Sequence, residues 1–374
     1  MFKKGLITAI AMATCAINAS AIELKAESYY FVEPETGTVI LEKNADKQMG
    51  PASLTKMMTA FLIFEALDHG DITLDSELKI SEKAWRKGGS KMFLEVGKTV
   101  RVEDLIKGIL VSSGNDACIV AAEFLGGTED AFSQMMNEKA SELKMFNTTF
   151  KNSSGWPDPE QLSTAKDMTL LARAVLKDYP QYYHYFNIER FTYNEISQPN
   201  RNGLLRRNVG VDGMKTGHID DAGYHLVASA ERKDIRLVSA VMGTNSMKAR
   251  EDETLTGLSY AFRTHGKVEV VRKGTVVDDK APTWMGTKEF MSLKAGDDIV
   301  LYTANKDSKN IKSEVIYEAP LQAPISLNQK IGILRITNPT TNTHVDVPLL
   351  AAESVDEVGF GTKAWRYIKN SVGL

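Results

Sequence analysis

The 374-residue chain has only two cysteines, Cys15 and Cys118. Cys15 falls in an N-terminal segment expected to be cleaved, which leaves one thiol and no internal disulfide. The packed core must therefore hold the fold together. Cys118 sits in "NDACIVAAEFLGG", an apolar helical pattern that predicts a buried structural thiol. An excess of one charge is also missing: 45 Lys and Arg oppose 48 Asp and Glu, a net charge of -3. That balance argues against nucleic acid as the main partner. No internal run is long and apolar enough to cross a bilayer. The six histidines are scattered, with no H-E-x-x-H, and no G-x-S-x-G elbow occurs. Gly97-Lys98-Thr99 lacks the first glycine of a nucleotide loop, since position 92 is Met92. These absences weigh against a zinc protease, a histidine-assisted hydrolase and an ATPase. No metal and no cofactor is expected.

What the chain does contain begins with a leader. Lys3 and Lys4 precede an apolar stretch from Gly5 to Ile17, followed by Ala19-Ser20-Ala21. This is the pattern of a secretory signal over residues 1–21, with a mature start near Ile22 and export. "SYYFVEPETGTVILEKN" predicts a β-hairpin, and a second follows Gly217, turning at Glu231 to Asp234. Helical patterns lie between them, and "EDETLTGLSYAFRTHG" predicts one more helix after the second hairpin. Strands at both ends with helices between predict an α+β domain over residues 22–265, one antiparallel sheet flanked by helices. From 266 to 352, short alternating strands predict a small all-β domain without a catalytic cluster. The segment 353–374 predicts an amphipathic helix, with Phe360, Ala364, Tyr367, Ile368 and Val372 on one face and Trp365 among basic residues. Such a helix suits the membrane interface.

"PASLTKMMTAFLIFEAL" places Ser53 and Lys56 three apart, on one face of a helix start. The spacing is common and recurs at Ser141/Lys144 and Ser163/Lys166, among other places. Only Ser53 is followed, in order, by both a Ser-x-Asn at Ser113-Gly114-Asn115 and a Lys-Thr-Gly at Lys215-Thr216-Gly217. This ordered set resembles the serine β-lactamases and penicillin-binding proteins. "SSGNDAC", "RNGLL", "VDGMKTGH", "AGYHLVASA" and "KARE" are similar to the D-alanyl-D-alanine carboxypeptidases of low molecular mass within that group. The resemblance covers about Ser28 to Phe262.

A serine hydroxyl needs a base, and a free lysine is protonated at neutral pH. Burial and a second cation, Lys215, would disfavour the charge on Lys56 and let it activate Ser53. Ser113 would relay a proton to the leaving amine, and Asn115 would hold Lys56 and the substrate amide. Thr216 would meet the substrate carboxylate, and Gly217 would leave room for a peptide along the strand. The resemblance implies an oxyanion hole from the Ser53 and His218 backbone N–H groups. It also implies a carboxylate-binding role for Arg201, with Arg250 either sharing that role or serving structure. Ser90 belongs to the loop beside the site, and Asp167 is expected to cap its helix.

The resemblance thus implies a periplasmic serine D,D-carboxypeptidase that acts on peptidoglycan stem peptides and is acylated by β-lactams. The terminal helix would hold it on the outer face of the inner membrane. Three other readings remain at this level: a β-lactamase, an endopeptidase or transpeptidase of the same fold, and a non-catalytic wall-binding scaffold. "DPEQLS" at Glu160 is a poor match for the deacylating glutamate of a β-lactamase.

Overall fold

The computed structural model describes residues 22–341 and 343–372; the expected leader lies outside the described residues. The central sheet has five antiparallel strands in the order Val39–Lys43, Ser28–Val32, Ile235–Thr244, Gly223–Arg232, Val211–Ile219. The N-terminal hairpin therefore pairs with a strand from the far end of the domain, Tyr29 opposite Val241. Both faces of the sheet are covered, and the strands alternate between two cores. Val238, Ala240 and Met242 face the larger helical layer, while Leu237 and Val241 face the other side. This is why the second hairpin shows long apolar runs in the sequence and no simple polar alternation.

The larger layer contains the helices Lys56–Asp68, Val102–Leu110, Asn115–Gly126, Glu129–Glu142 and Ala165–Asp178. The Lys56–Asp68 helix is almost wholly buried, from Met57 to Phe64. A helix apolar on all sides belongs at the centre of a domain. On the opposite face the helix Met247–Thr264 packs over Phe31 with Leu258 and Ala261. It begins four residues before the segment expected from the sequence. Ser246 caps it by accepting from the Ala249 N–H at 3.1 Å.

Asp167 is not the cap of its helix, contrary to expectation. Thr164 is the cap, accepting from the Asp167 N–H at 3.0 Å. The Asp167 carboxylate instead accepts from the Asn147 N–H and the Thr148 hydroxyl, at 2.9 and 2.7 Å, fastening the preceding loop.

Beyond the Met247–Thr264 helix come a strand pair, His265–Val271 with Ile299–Ala304, and a six-stranded sheet. Three strands of that sheet, Val276–Trp284, Phe290–Ala295 and the short Leu321–Gln322, are absent from the sequence reading. Val276–Trp284 carries Asp278, Asp279, Lys280 and Pro282, which mask its period. The helix Phe360–Val372 follows. Arg366 donates to the Gly286 carbonyl at 3.1 Å, and Tyr367 sets its ring edge-on to Trp284. Phe360, Trp365, Tyr367 and Ile368 remain exposed. Among the described residues no helix is long and apolar enough to cross a membrane.

Candidate active site

Three chain segments meet at a cleft of about 380 Å³. The first is the turn Ala52–Thr55, which runs straight into the Lys56–Asp68 helix. Ala52 adopts the left-handed backbone region, φ +50°, and so bends the chain just before Ser53. Ser53 lines the cleft and Lys56 lies behind it, fully buried. The Lys56 ammonium donates to Ser53 Oγ at 3.0 Å, to Asn115 Oδ1 at 2.8 Å, and to the Ser154 carbonyl.

The second segment joins the helices Val102–Leu110 and Asn115–Gly126. Ser113, also left-handed at φ +59°, is turned toward Lys215, whose ammonium donates to Ser113 Oγ at 3.0 Å. Asn115 opens the next helix. Its side-chain amide also donates to the Gly88 carbonyl at 2.9 Å. The third segment is the strand Val211–Ile219, which carries Lys215, Thr216, Gly217 and His218. A Cβ on Gly217 would lie 2.9 Å from the Pro51 carbonyl, so only glycine lets this strand press against the Ser53 turn.

Burial governs the electrostatics. Burial above all, with smaller contributions from Arg201 and Lys87, lowers Lys56 to about 8. Lys215 is pushed well below the usual lysine range, first by burial and then by Lys56. Burial is the largest cause at both lysines, and as two cations in one buried site they disfavour each other's charge. Cys118 is pushed up to about 12 by burial, the behaviour of an inert thiol.

Among the other expected residues, Thr216, Gly217, His218, Arg201, Arg250 and Ser90 all line the cleft. His218 is exposed, with its ring stacked on Tyr224. Arg201 is exposed at the mouth. Arg250 is buried, and its guanidinium donates to the Arg201 carbonyl at 3.1 Å and the Gly217 carbonyl at 3.4 Å, tying two cleft segments together.

The sequence reading missed four parts of this frame. One is the Asn152–Trp156 turn, where Asn152 Oδ1 accepts from the Ser154, Gly155 and Trp156 N–H groups and aims the Ser154 carbonyl at Lys56. The cluster "NSSG" carries a turn signal, yet a backbone carbonyl acceptor has no residue type of its own. Gly155 is the second: at φ +81°, its Cβ position would fall 1.8 Å from the Ala52 carbonyl. Asp116, the third, is buried and accepts from the Met92, Phe93 and Leu94 N–H groups, fixing the loop over the cleft. The fourth is His225. It accepts the Gly243 N–H at Nδ1 and donates from Nε2 to the Gly50 carbonyl, tying the sheet to the Ser53 turn.

A family model described as D-alanyl-D-alanine carboxypeptidase matches residues 15–246. The chain belongs to the D-alanyl-D-alanine carboxypeptidase family. A second model, the C-terminal domain of penicillin-binding protein 5, matches residues 266–357. D-alanyl-D-alanine carboxypeptidase DacA of Escherichia coli is 39% identical over 355 residues, covering 93% of this chain and 88% of that protein. Among solved structures, penicillin-binding protein 5 of Haemophilus influenzae superposes with a TM-score of 0.76 at 33% identity, covering 90% of this chain and 99% of that one. Penicillin-binding protein D2 of Listeria monocytogenes, solved in an ampicillin-bound form, superposes with a TM-score of 0.60 at 31% identity, covering 65% of this chain and 99% of that one. The chain is therefore a serine-type carboxypeptidase of low-molecular-mass penicillin-binding architecture, and the β-lactamase and endopeptidase readings are not favoured.

Proposed function

We propose that the enzyme removes the terminal D-alanine from peptidoglycan stem peptides through an acyl-enzyme on Ser53. The observation that carries this is the contact of Lys56 Nζ with Ser53 Oγ in a buried setting that favours the neutral amine. Neutral Lys56 accepts the hydroxyl proton as Ser53 Oγ attacks the carbonyl between the two D-alanines. The backbone N–H groups of Ser53 and His218 take the oxyanion. Ser113, fed by Lys215, delivers a proton to the departing amine, and D-alanine leaves. Asn115 aligns Lys56 and the substrate amide. The terminal carboxylate meets Thr216 and Arg201, while Arg250 holds the backbone beneath them. The proton gained by Lys56 passes on to replenish Lys215 and Ser113, which leaves Lys56 neutral again. Water then attacks the ester, Lys56 takes the water's proton and returns it to Ser53 Oγ as the acyl–oxygen bond breaks, and the shortened peptide leaves as a carboxylate. A β-lactam places its amide and carboxylate at the same two points and acylates Ser53.

The same reading extends to location. The leader exports the chain to the periplasm, and the exposed apolar residues of the helix Phe360–Val372 rest on the outer face of the cytoplasmic membrane. The all-β domain, from 266 to 352, spaces the domain of residues 22–265 from the terminal segment 353–374. The deciding experiment is Ser53→Ala, which is expected to abolish both D-alanine release from a pentapeptide and covalent labelling by a fluorescent penicillin. Retention of either rejects Ser53 as the nucleophile. Rapid steady hydrolysis of nitrocefin by the unaltered enzyme would favour the β-lactamase reading.

A further inference from the structure

The cations near the cleft fall into two groups. Lys83, Arg86 and Lys98 each pair with a carboxylate: Glu129, Glu82 and Glu95. Lys87, Lys91, Arg201 and Arg250 have no carboxylate partner among the described residues; of these, Lys91 is engaged by the Trp85 carbonyl and Arg250 by the Gly217 and Arg201 carbonyls. Arg201 stands on the strand side of the cleft, where Arg250 ties its carbonyl to that of Gly217. Lys87 stands on the opposite side. Its neighbour Gly88 is held by Asn115, and its ammonium lies 4.8 Å over the ring of Trp156, which lines the cleft. Ser53 lies between the two sides. If the leaving D-alanine points its carboxylate at Arg201, the acyl half of the peptide emerges toward Trp156 and Lys87.

We propose that Lys87, positioned over Trp156, forms a subsite for a carboxylate on the acyl half of the substrate. The subsite makes the enzyme prefer stem peptides whose residue before the two D-alanines carries a side-chain carboxylate. This rests on the carboxypeptidase reading given above. The indole face favours an ammonium above it and narrows the positions the long side chain samples. An ion pair at a half-open rim is worth about fivefold in kcat/KM, and salt weakens it.

The test uses the full chain and two blocked peptides ending in D-Ala-D-Ala. One carries meso-diaminopimelate before that pair, and the other carries its side-chain carboxamide. The expected kcat/KM ratio is about five in favour of the carboxylate, expressed in KM and shrinking as ionic strength rises. Lys87→Met brings the ratio close to one, and Lys87→Arg keeps it above one. The ratio isolates the subsite, because both peptides meet the same Lys56 in each variant. A ratio near one in the unaltered enzyme, or an unchanged ratio in Lys87→Met, overturns the proposal. Loss of D-alanine release from both peptides in the unaltered enzyme overturns the carboxypeptidase reading, and the subsite with it.

Discussion

In the proposed mechanism Lys56 has to be neutral to act, and its surroundings decide whether it is. With its pKa lowered to about 8, the neutral fraction falls tenfold for each pH unit below that value. The acid limb of kcat/KM is therefore expected to rise with pH and level off near 8, which a pH–rate profile on a neutral peptide checks. Lys56→Arg keeps the positive charge at every accessible pH, so acylation is expected to fall by about 10²–10⁴-fold, read from the rate of penicillin labelling. Stability follows the same lysine. Between about 8 and its ordinary 10.5, the unfolded chain holds a proton that the native chain has released, so this group makes stability rise with pH across that window. The ordered motifs exposed Ser53, Lys56, Ser113, Asn115 and Lys215 to sequence reading because each bears its chemistry on a side chain. The Ser154 carbonyl bears its chemistry on the backbone, where residue type says nothing.

Helices, strands and turns impose their own limits on the site. The turn Asn152–Trp156 meets the Ser53 turn backbone to backbone at Gly155, where neither the left-handed φ nor the space admits a Cβ. Gly155→Ala is expected to cost about 3 kcal/mol in urea unfolding and to depress penicillin labelling. Gly70→Ala, also at positive φ but in open space, should cost about 1 kcal/mol and leave labelling intact. His225 ties the strand Gly223–Arg232 to the same turn in its neutral form. Burial lowers it to about 4, below its ordinary 6.5, so the native state resists a proton that the unfolded chain accepts. Its contribution is present above pH 6.5 and is lost as pH falls toward 4, about 3 kcal/mol in all. His225→Asn should flatten that part of the stability–pH curve. Most elements were legible because their apolar periods are clean. The strand Val276–Trp284 was not, because acidic residues and a proline interrupt its alternation. The Asp167 helix was legible, but its cap was misassigned by three residues: Thr164 has the hydroxyl at the position where the first free N–H groups converge.

For the molecule as a whole, the cleft and the exposed apolar residues of the terminal helix belong to separate parts of the chain. Removing the residues after Gly359 is expected to abolish sedimentation with anionic phospholipid vesicles while kcat/KM on a soluble peptide stays within about twofold. Continued sedimentation would reject the helix as the anchor. The strand order has a different consequence, one of timing. The hairpin Ser28–Val32 and Val39–Lys43 is made first, yet its partner strand Ile235–Thr244 is made more than half a chain later. The hairpin cannot join the central sheet until then, and such distant pairings close slowly. Ser53, Lys56, Ser113 and Asn115 thus all exist before Lys215 reaches them, so the nascent chain carries a nucleophile without its setting. On the proposed mechanism, the Ser53 hydroxyl gains its full setting only once the strand carrying Lys215 is in place.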